Sequence, residues 1–146
     1  MNRHRYTLDT NLLIYAIDTK TDADKHQKAL TIVNQAVDYD CVLTLQVLGE
    51  FFSATTRKGK MPLTEAFQQV KDWQELFPVV AATPDGLNLA MTLTSEHFLS
   101  FWDALIWATA KHAGVTHILS EDFQDGRMLE GLTVINPFGL NPFEEG

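Results

Sequence analysis

A single cysteine, Cys41, is all the thiol chemistry that the sequence offers. No disulfide can close within one chain, so the expected compartment is a reducing one, the cytoplasm. Long apolar runs are also missing. The basic start Arg3-His4-Arg5 leads directly into Tyr6-Thr7-Leu8-Asp9, without the apolar stretch of a signal peptide or the roughly 20 residues of a membrane span. His97, His112 and His117 have no partner at metal-ligand spacing, and no His-Glu-x-x-His is present. Internal repeats, low-complexity tracts and linkers are absent too, and 146 residues suit one compact domain, 1–146.

Positive charge is scarce: 11 Lys and Arg stand against 19 Asp and Glu, a net charge of −8. Phosphate contacts come mainly from Lys and Arg, so tight non-specific binding of nucleic acid is disfavoured. Two features temper this. Carboxylates that hold a divalent ion present a cation to their surroundings. The basic residues also cluster, at Arg3/Arg5 and at Arg57-Lys58-Gly59-Lys60.

Apolar residues make up 45% of the chain, enough for a core. Residues 5–8 read as a strand ending at Asp9, after which Thr10 or Asn11 is placed to cap a short helix over 12–17. Helical spacing of Ala29, Ile32, Val33, Ala36 and Val37 predicts a helix over 22–37. A strand is expected at 41–44, a helix at 46–56, and a second amphipathic helix at 64–77 beyond the Gly59/Pro62 turn. A strand at 79–82 precedes a helix that Pro84 opens and that runs to about residue 98. A helix at 103–112 ends before Gly114; strands follow at 117–120 and 133–135. Strands alternating with helices give an α/β sandwich around a mainly parallel sheet.

In such sheets functional sites form beyond the carboxyl ends of the strands, where Asp9 and Asp122 fall. Asp103 sits at a predicted helix start and Glu50 within a helix, beside the apolar Val47, Leu48, Phe51 and Phe52. Hard cations such as Mg²⁺ and Mn²⁺ prefer oxygen ligands, and like charges packed without an ion repel. The four acids together suit a divalent-metal site; the plainer alternative is surface charges and helix caps, which Asp103 fits as an N-cap and which Glu50, bordering a buried stripe, fits least.

The motifs add to this reading. Leu8-Asp9-Thr10-Asn11-Leu12-Leu13-Ile14, Glu50 in Gln46-Val47-Leu48-Gly49-Glu50-Phe51-Phe52, Trp102-Asp103-Ala104-Leu105-Ile106, and Leu119-Ser120-Glu121-Asp122-Phe123 occur in that order. Together with the tail Glu130-Gly131-Leu132-Thr133-Val134-Ile135-Asn136-Pro137-Phe138, they resemble the motifs of PIN domains. The closest resemblance is to small VapC-type toxins of toxin–antitoxin pairs. It implies a PIN-like three-layer fold, Mg²⁺- or Mn²⁺-dependent endonucleolytic cleavage of RNA, a homodimer, and neutralisation by a cognate antitoxin. By position it makes Asp9, Glu50, Asp103 and Asp122 the metal-binding, catalytic acids. Thr10, Asn11 and Ser120 stand beside them as supporting polar groups, unless Thr10 and Ser120 simply cap helices, and Glu121 and Asp125 are near enough to assist Asp122.

Arg57, Lys58 and Lys60 follow the Glu50 helix and suit either RNA contact or a solvated helix end, where cations favour the dipole. Trp73, Trp102 and Trp107 offer faces for base stacking, but Trp107, at helical spacing from Asp103, fits the core better. Cys41 reads as a small buried apolar residue. A haloacid-dehalogenase-type phosphatase would need a second Asp where Asn11 stands. A receiver domain would need an acidic pair and a late Lys that are not arranged here, and a DNA-cutting relative would need further elements. The alternative that survives is a PIN-like RNA-binding or protein-interaction module without catalysis.

Overall fold

Alternation along three short strands decides the layers. In β1 (Tyr6–Leu8), Tyr6 and Leu8 join one apolar cluster. In β2 (Cys41–Thr44), Cys41 and Leu43 join the same cluster while Val42 joins a second. In β4 (His117–Leu119), Leu119 belongs to the first cluster and Ile118 to the second. Successive strand side chains point to opposite faces, so β2 and β4 feed two cores while β1 turns the buried Thr7 away from the first, and the sheet is covered on both sides, as parallel sheets require. The computed structural model that shows this describes residues 3–144.

The remaining strands are β3 (Val79–Val80), β5 (Met128–Leu129) and β6 (Leu132–Ile135). Among the described residues the sheet order is β3-β2-β1-β4-β6-β5, parallel throughout except for the antiparallel β5–β6 edge. The first face is covered by α1 (Thr10–Ile17), α2 (Ala23–Ala36), α3 (Leu45–Arg57) and α4 (Leu63–Leu76). The second is covered by α5 (Pro84–His97) and α6 (Phe101–His112), with Ile106 of α6 reaching the first core. The architecture is the three-layer α/β sandwich that the sequence implies. No helix among the described residues is long and apolar enough to cross a membrane.

The topology fixes where a site can form. From β1 the chain steps to β2 and β3 on one side, and β4 then pairs with β1 on the other. The strand order therefore reverses between β1 and β4, and a crevice opens at their carboxyl ends. Asp9 follows β1 and Ser120 follows β4, and the Asp9 N–H donates to the Leu119 carbonyl at 3.0 Å.

Several boundaries differ from expectation for local reasons. Asp9 itself caps α1, its carboxylate accepting from the Thr10 N–H at 2.8 Å, so neither Thr10 nor Asn11 is the cap. Ser100 caps α6 and Asp103 lies inside its first turn, donating its N–H to Ser100 Oγ at 3.2 Å. The expected strand at 79–82 shrinks to Val79–Val80 because its partner β2 ends at Thr44, where α3 begins. The unexpected strand β5 is created by its turn: Glu130 and Gly131 both hold positive φ, 54° and 82°, and close a two-residue hairpin onto β6.

Trp107 is fully buried in the second core, meets Phe123 edge-on at 5.4 Å, and donates its indole N–H to the Leu129 carbonyl at 3.0 Å. It ties α6 to both the loop after β4 and the β5 edge. Trp107→Ala is expected to cost about 3–5 kcal/mol, read as a lower urea midpoint at unchanged m-value.

Candidate active site

Four elements bring Asp9, Glu50, Asp103 and Asp122 to the walls of one polar cleft of about 300 Å³. Asp9 comes from the end of β1, Glu50 from the middle of α3, Asp103 from the first turn of α6 and Asp122 from the loop after β4. Because Ser100 performs the capping of α6, the Asp103 carboxylate is free to line the cleft. Thr10, Asn11, Ser53, Arg57 and Lys58 line it as well.

Each of three acids is steered by a neutral neighbour. Ser120 Oγ donates to Asp9 Oδ2 at 2.6 Å while accepting the Asp122 N–H at 3.1 Å, so one hydroxyl links the ends of β1 and β4. Thr10 Oγ1 donates to Glu50 Oε2 at 3.0 Å. Asn11 Nδ2 donates to Asp122 Oδ2 at 2.8 Å. Gln46, one turn before Glu50 on α3, donates to Glu50 Oε1 at 2.6 Å and to the Trp102 carbonyl at 3.1 Å, leaving its own buried Oε1 without a partner. Sequence reasoning did not single out Gln46. Its i, i+4 spacing from Glu50 was the available signal.

Other expected members fall away. Glu121 does not line the cleft; Lys25 Nζ holds it at 2.7 Å, above the rings of Tyr15 and Phe138. Asp125 accepts the Asn136 N–H at 2.8 Å and fastens its loop to the end of β6. Lys60 is drawn to Asp18 at 2.5 Å, while Arg57 and Lys58 keep their place on the cleft wall. That ion pair, with the Lys20 backbone N–H, holds the Asp18 carboxyl down at about 2. Cys41 is buried, its thiol pushed up to about 12 by burial and by Asp40.

The electrostatics of the cleft oppose its own charges. Asp9 is only 7% exposed, and burial lifts its carboxyl to about 6 against the lowering effect of Ser120 and Thr10, with Asp122 and Asp103 adding repulsion. Asp122 is raised as well, by burial first and then by Glu121 and Asp103. Among the described residues, no Lys or Arg forms an ion pair with Asp9, Glu50, Asp103 or Asp122. An all-oxygen donor set with uncompensated negative charge fits a hard divalent cation. The carboxylates are not drawn tightly together: among the described residues, no three His, Cys, Asp or Glu are gathered closely enough to grip one ion. The steering hydrogen bonds hold Asp9, Glu50 and Asp122 where they stand.

The chain belongs to the PIN domain family, whose model matches residues 6–124. Among similar solved structures, the toxin VapC20 of Mycobacterium tuberculosis, described as cleaving the sarcin–ricin loop, has a TM-score of 0.64 at 20% identity. That match covers 80% of this chain and 91% of the other. A toxin–antitoxin complex from Klebsiella pneumoniae matches with a TM-score of 0.65 at 18% identity, covering 90% of this chain and 97% of that one. VapBC2 of Rickettsia felis, bound to a DNA fragment from its promoter, matches with a TM-score of 0.65 at 13% identity, covering 88% and 96%. These likenesses concern the fold. No curated protein sequence matches the chain.

A raised carboxyl has a defined linkage sign. Asp9 holds its proton up to about pH 6 when folded, whereas the unfolded group loses it near the ordinary 3.8. Between those values the native state binds more protons, so the contribution of Asp9 to stability falls as pH rises and its full cost stands above about pH 6. Asp9→Asn keeps the size and one acceptor oxygen without the charge, and its Nδ2 must donate to Ser120 Oγ instead of accepting from it. It is expected to gain stability over the wild type by up to about 3 kcal/mol in metal-free buffer at pH 7.5. That gain should disappear near pH 4 in paired urea denaturations.

Proposed function

We propose that the chain is a divalent-metal-dependent endoribonuclease, the toxin of a toxin–antitoxin pair. One observation carries the reading: four carboxylates without cationic partners, delivered by four separate elements, face one cleft at the point where the strand order reverses. Membership of the PIN domain family agrees with nuclease chemistry. The neighbours, a toxin that cleaves the sarcin–ricin loop and toxin–antitoxin complexes, support RNA as the substrate class and a cognate antitoxin as the partner; the working form in this reading is a homodimer.

Asp9, Glu50, Asp103 and Asp122 are the residues that would hold Mg²⁺ or Mn²⁺. When bound, the ion supplies Lewis-acid stabilisation of phosphate oxygens and a water of lowered pKa for in-line attack at phosphorus. The chain's own groups do the rest. Ser120 and the Thr10 N–H fix the Asp9 carboxylate, Thr10 Oγ1 and Gln46 fix Glu50, and Asn11 fixes Asp122. Arg57 and Lys58, on the same wall, place positive charge beside the acids for the RNA backbone.

The alternative, a PIN-like binding module without catalysis, takes support from the carboxylates standing apart. One experiment separates the two. Purified wild type is incubated with total RNA in Mg²⁺, in Mn²⁺ and in chelator, beside Asp9→Asn and Asp103→Asn. Discrete fragments that require metal, with at least about 100-fold less cleavage by either variant, are expected. Ser120→Ala and Thr10→Val, which remove only the support of a ligand, should lose about 10–100-fold. Normal cleavage by the Asp→Asn variants, or metal-independent cleavage, would contradict the proposal.

A further inference from the structure

Trp102 is 63% exposed, whereas Trp73 and Trp107 are buried at 4% and 0%. An indole this open forgoes most of the burial free energy that a tryptophan normally contributes. Its position is not incidental. Trp102 precedes Asp103 in the first turn of α6 and forms, with Gln46 and Glu50, an open cleft of about 420 Å³. Glu50 lines both this cleft and the acidic one, so the two adjoin at that residue. Beyond Trp102 the surface continues as an apolar groove lined by Leu45, Val80, Ala82 and Leu105. The indole is braced: Phe101 meets it edge-on at 4.9 Å, and Gln46 fastens the Trp102 carbonyl to α3.

Gln46, Glu50, Ser53 and Arg57 are spaced by three or four residues along α3, which places them on one face. At a rise of 1.5 Å per residue, Gln46 and Arg57 lie about 16 Å apart along the axis. Trp102 therefore stands on one side of Glu50, and Arg57 and Lys58 line the cleft on the other. A nucleic-acid strand has both kinds of surface, apolar base faces and anionic phosphates. In a chain with a net charge of −8, phosphate contacts are few, and stacking supplies affinity that acidic surroundings do not repel.

We propose that Trp102 is a base-stacking platform, holding an unpaired nucleobase beside the phosphate to be cut while Arg57 and Lys58 hold the backbone on the other side. The inference rests on the nuclease reading and adds to it a residue, Trp102, that positions the RNA. A base paired within a duplex has no free face for the indole, so regular duplex is excluded from this contact.

The test is a fluorescence titration in the Asp9→Asn background with Mg²⁺, using a single-stranded RNA oligonucleotide and a blunt duplex of the same sequence. The single strand is expected to quench emission, the duplex to quench little, and the quench to vanish in Trp102→Leu, where Trp73 and Trp107 remain as an internal reference. Affinity for the single strand should fall about 5- to 100-fold in Trp102→Leu, the ratio that corresponds to one lost stack of about 1–3 kcal/mol. Trp102→Phe should retain most of it. Equal binding by all three proteins would overturn the proposal, and so would RNA binding that leaves the emission unchanged. Emission that changes with protein concentration and not with RNA would assign Trp102 to contact with a second copy of the chain. Cleavage by otherwise wild-type protein is followed in parallel. Its absence alongside Trp102-dependent quenching would remove the nuclease reading and leave the platform standing.

Discussion

The structure turns on one buried carboxylate. Asp9 lies at the end of the central strand β1, almost without solvent, and is held by Ser120 from β4 and by the first N–H of α1. Those two bonds join β1, β4 and α1 at the reversal of strand order. They do not fully offset the burial of the charge, since the Asp9 carboxyl still rises to about 6. Asp103 and Asp122 face the same cleft and make the charge costlier still. A cation is the natural remedy, because it converts each of these repulsions into an attraction. Helix capping, strand order and side-chain steering all serve to keep that unfavourable group of acids in place.

The helix α3 organises what surrounds the acids. Its N-terminal turn carries Gln46, which fastens both Glu50 and the start of α6; its middle carries Glu50; its last turn carries Arg57. Opposite charges are kept from collapsing onto one another by pairings elsewhere. Lys60 is taken up by Asp18 and Lys25 by Glu121, so neither neutralises the cleft. Such pairings have little effect on stability when exposed; here their consequence is to leave the four acids without cationic partners.

Much of this was legible in the sequence, for identifiable reasons. The strands that end at Asp9 and Ser120 are marked by apolar runs, and the rule that sites form at strand carboxyl ends then locates the crevice. From the four motifs, Asp9, Thr10, Asn11, Ile14, Glu50, Asp103 and Asp122 line it in the structure. Capping was less legible. Asp103 and Thr10-Asn11 read as caps in one dimension, and only the side-chain hydrogen bonds show that Ser100 serves α6 while Asp9 serves α1. The roles of Glu121, Asp125 and Lys60 were hidden because their partners, Lys25, the Asn136 N–H and Asp18, are distant in sequence. The β5 edge escaped because a two-residue strand has no measurable period, and its two positive-φ turn residues include a glutamate.

The most direct test of the central claim, that the four acids form one cation site, is calorimetric titration of Mn²⁺ into the wild type and into single Asn or Gln variants of Asp9, Glu50, Asp103 and Asp122 at pH 7.5. The account predicts saturable binding by the wild type and weakened binding in every variant. Absence of saturable binding in folded wild-type protein, or binding that survives unchanged in the Asp9 and Asp103 variants, would contradict it.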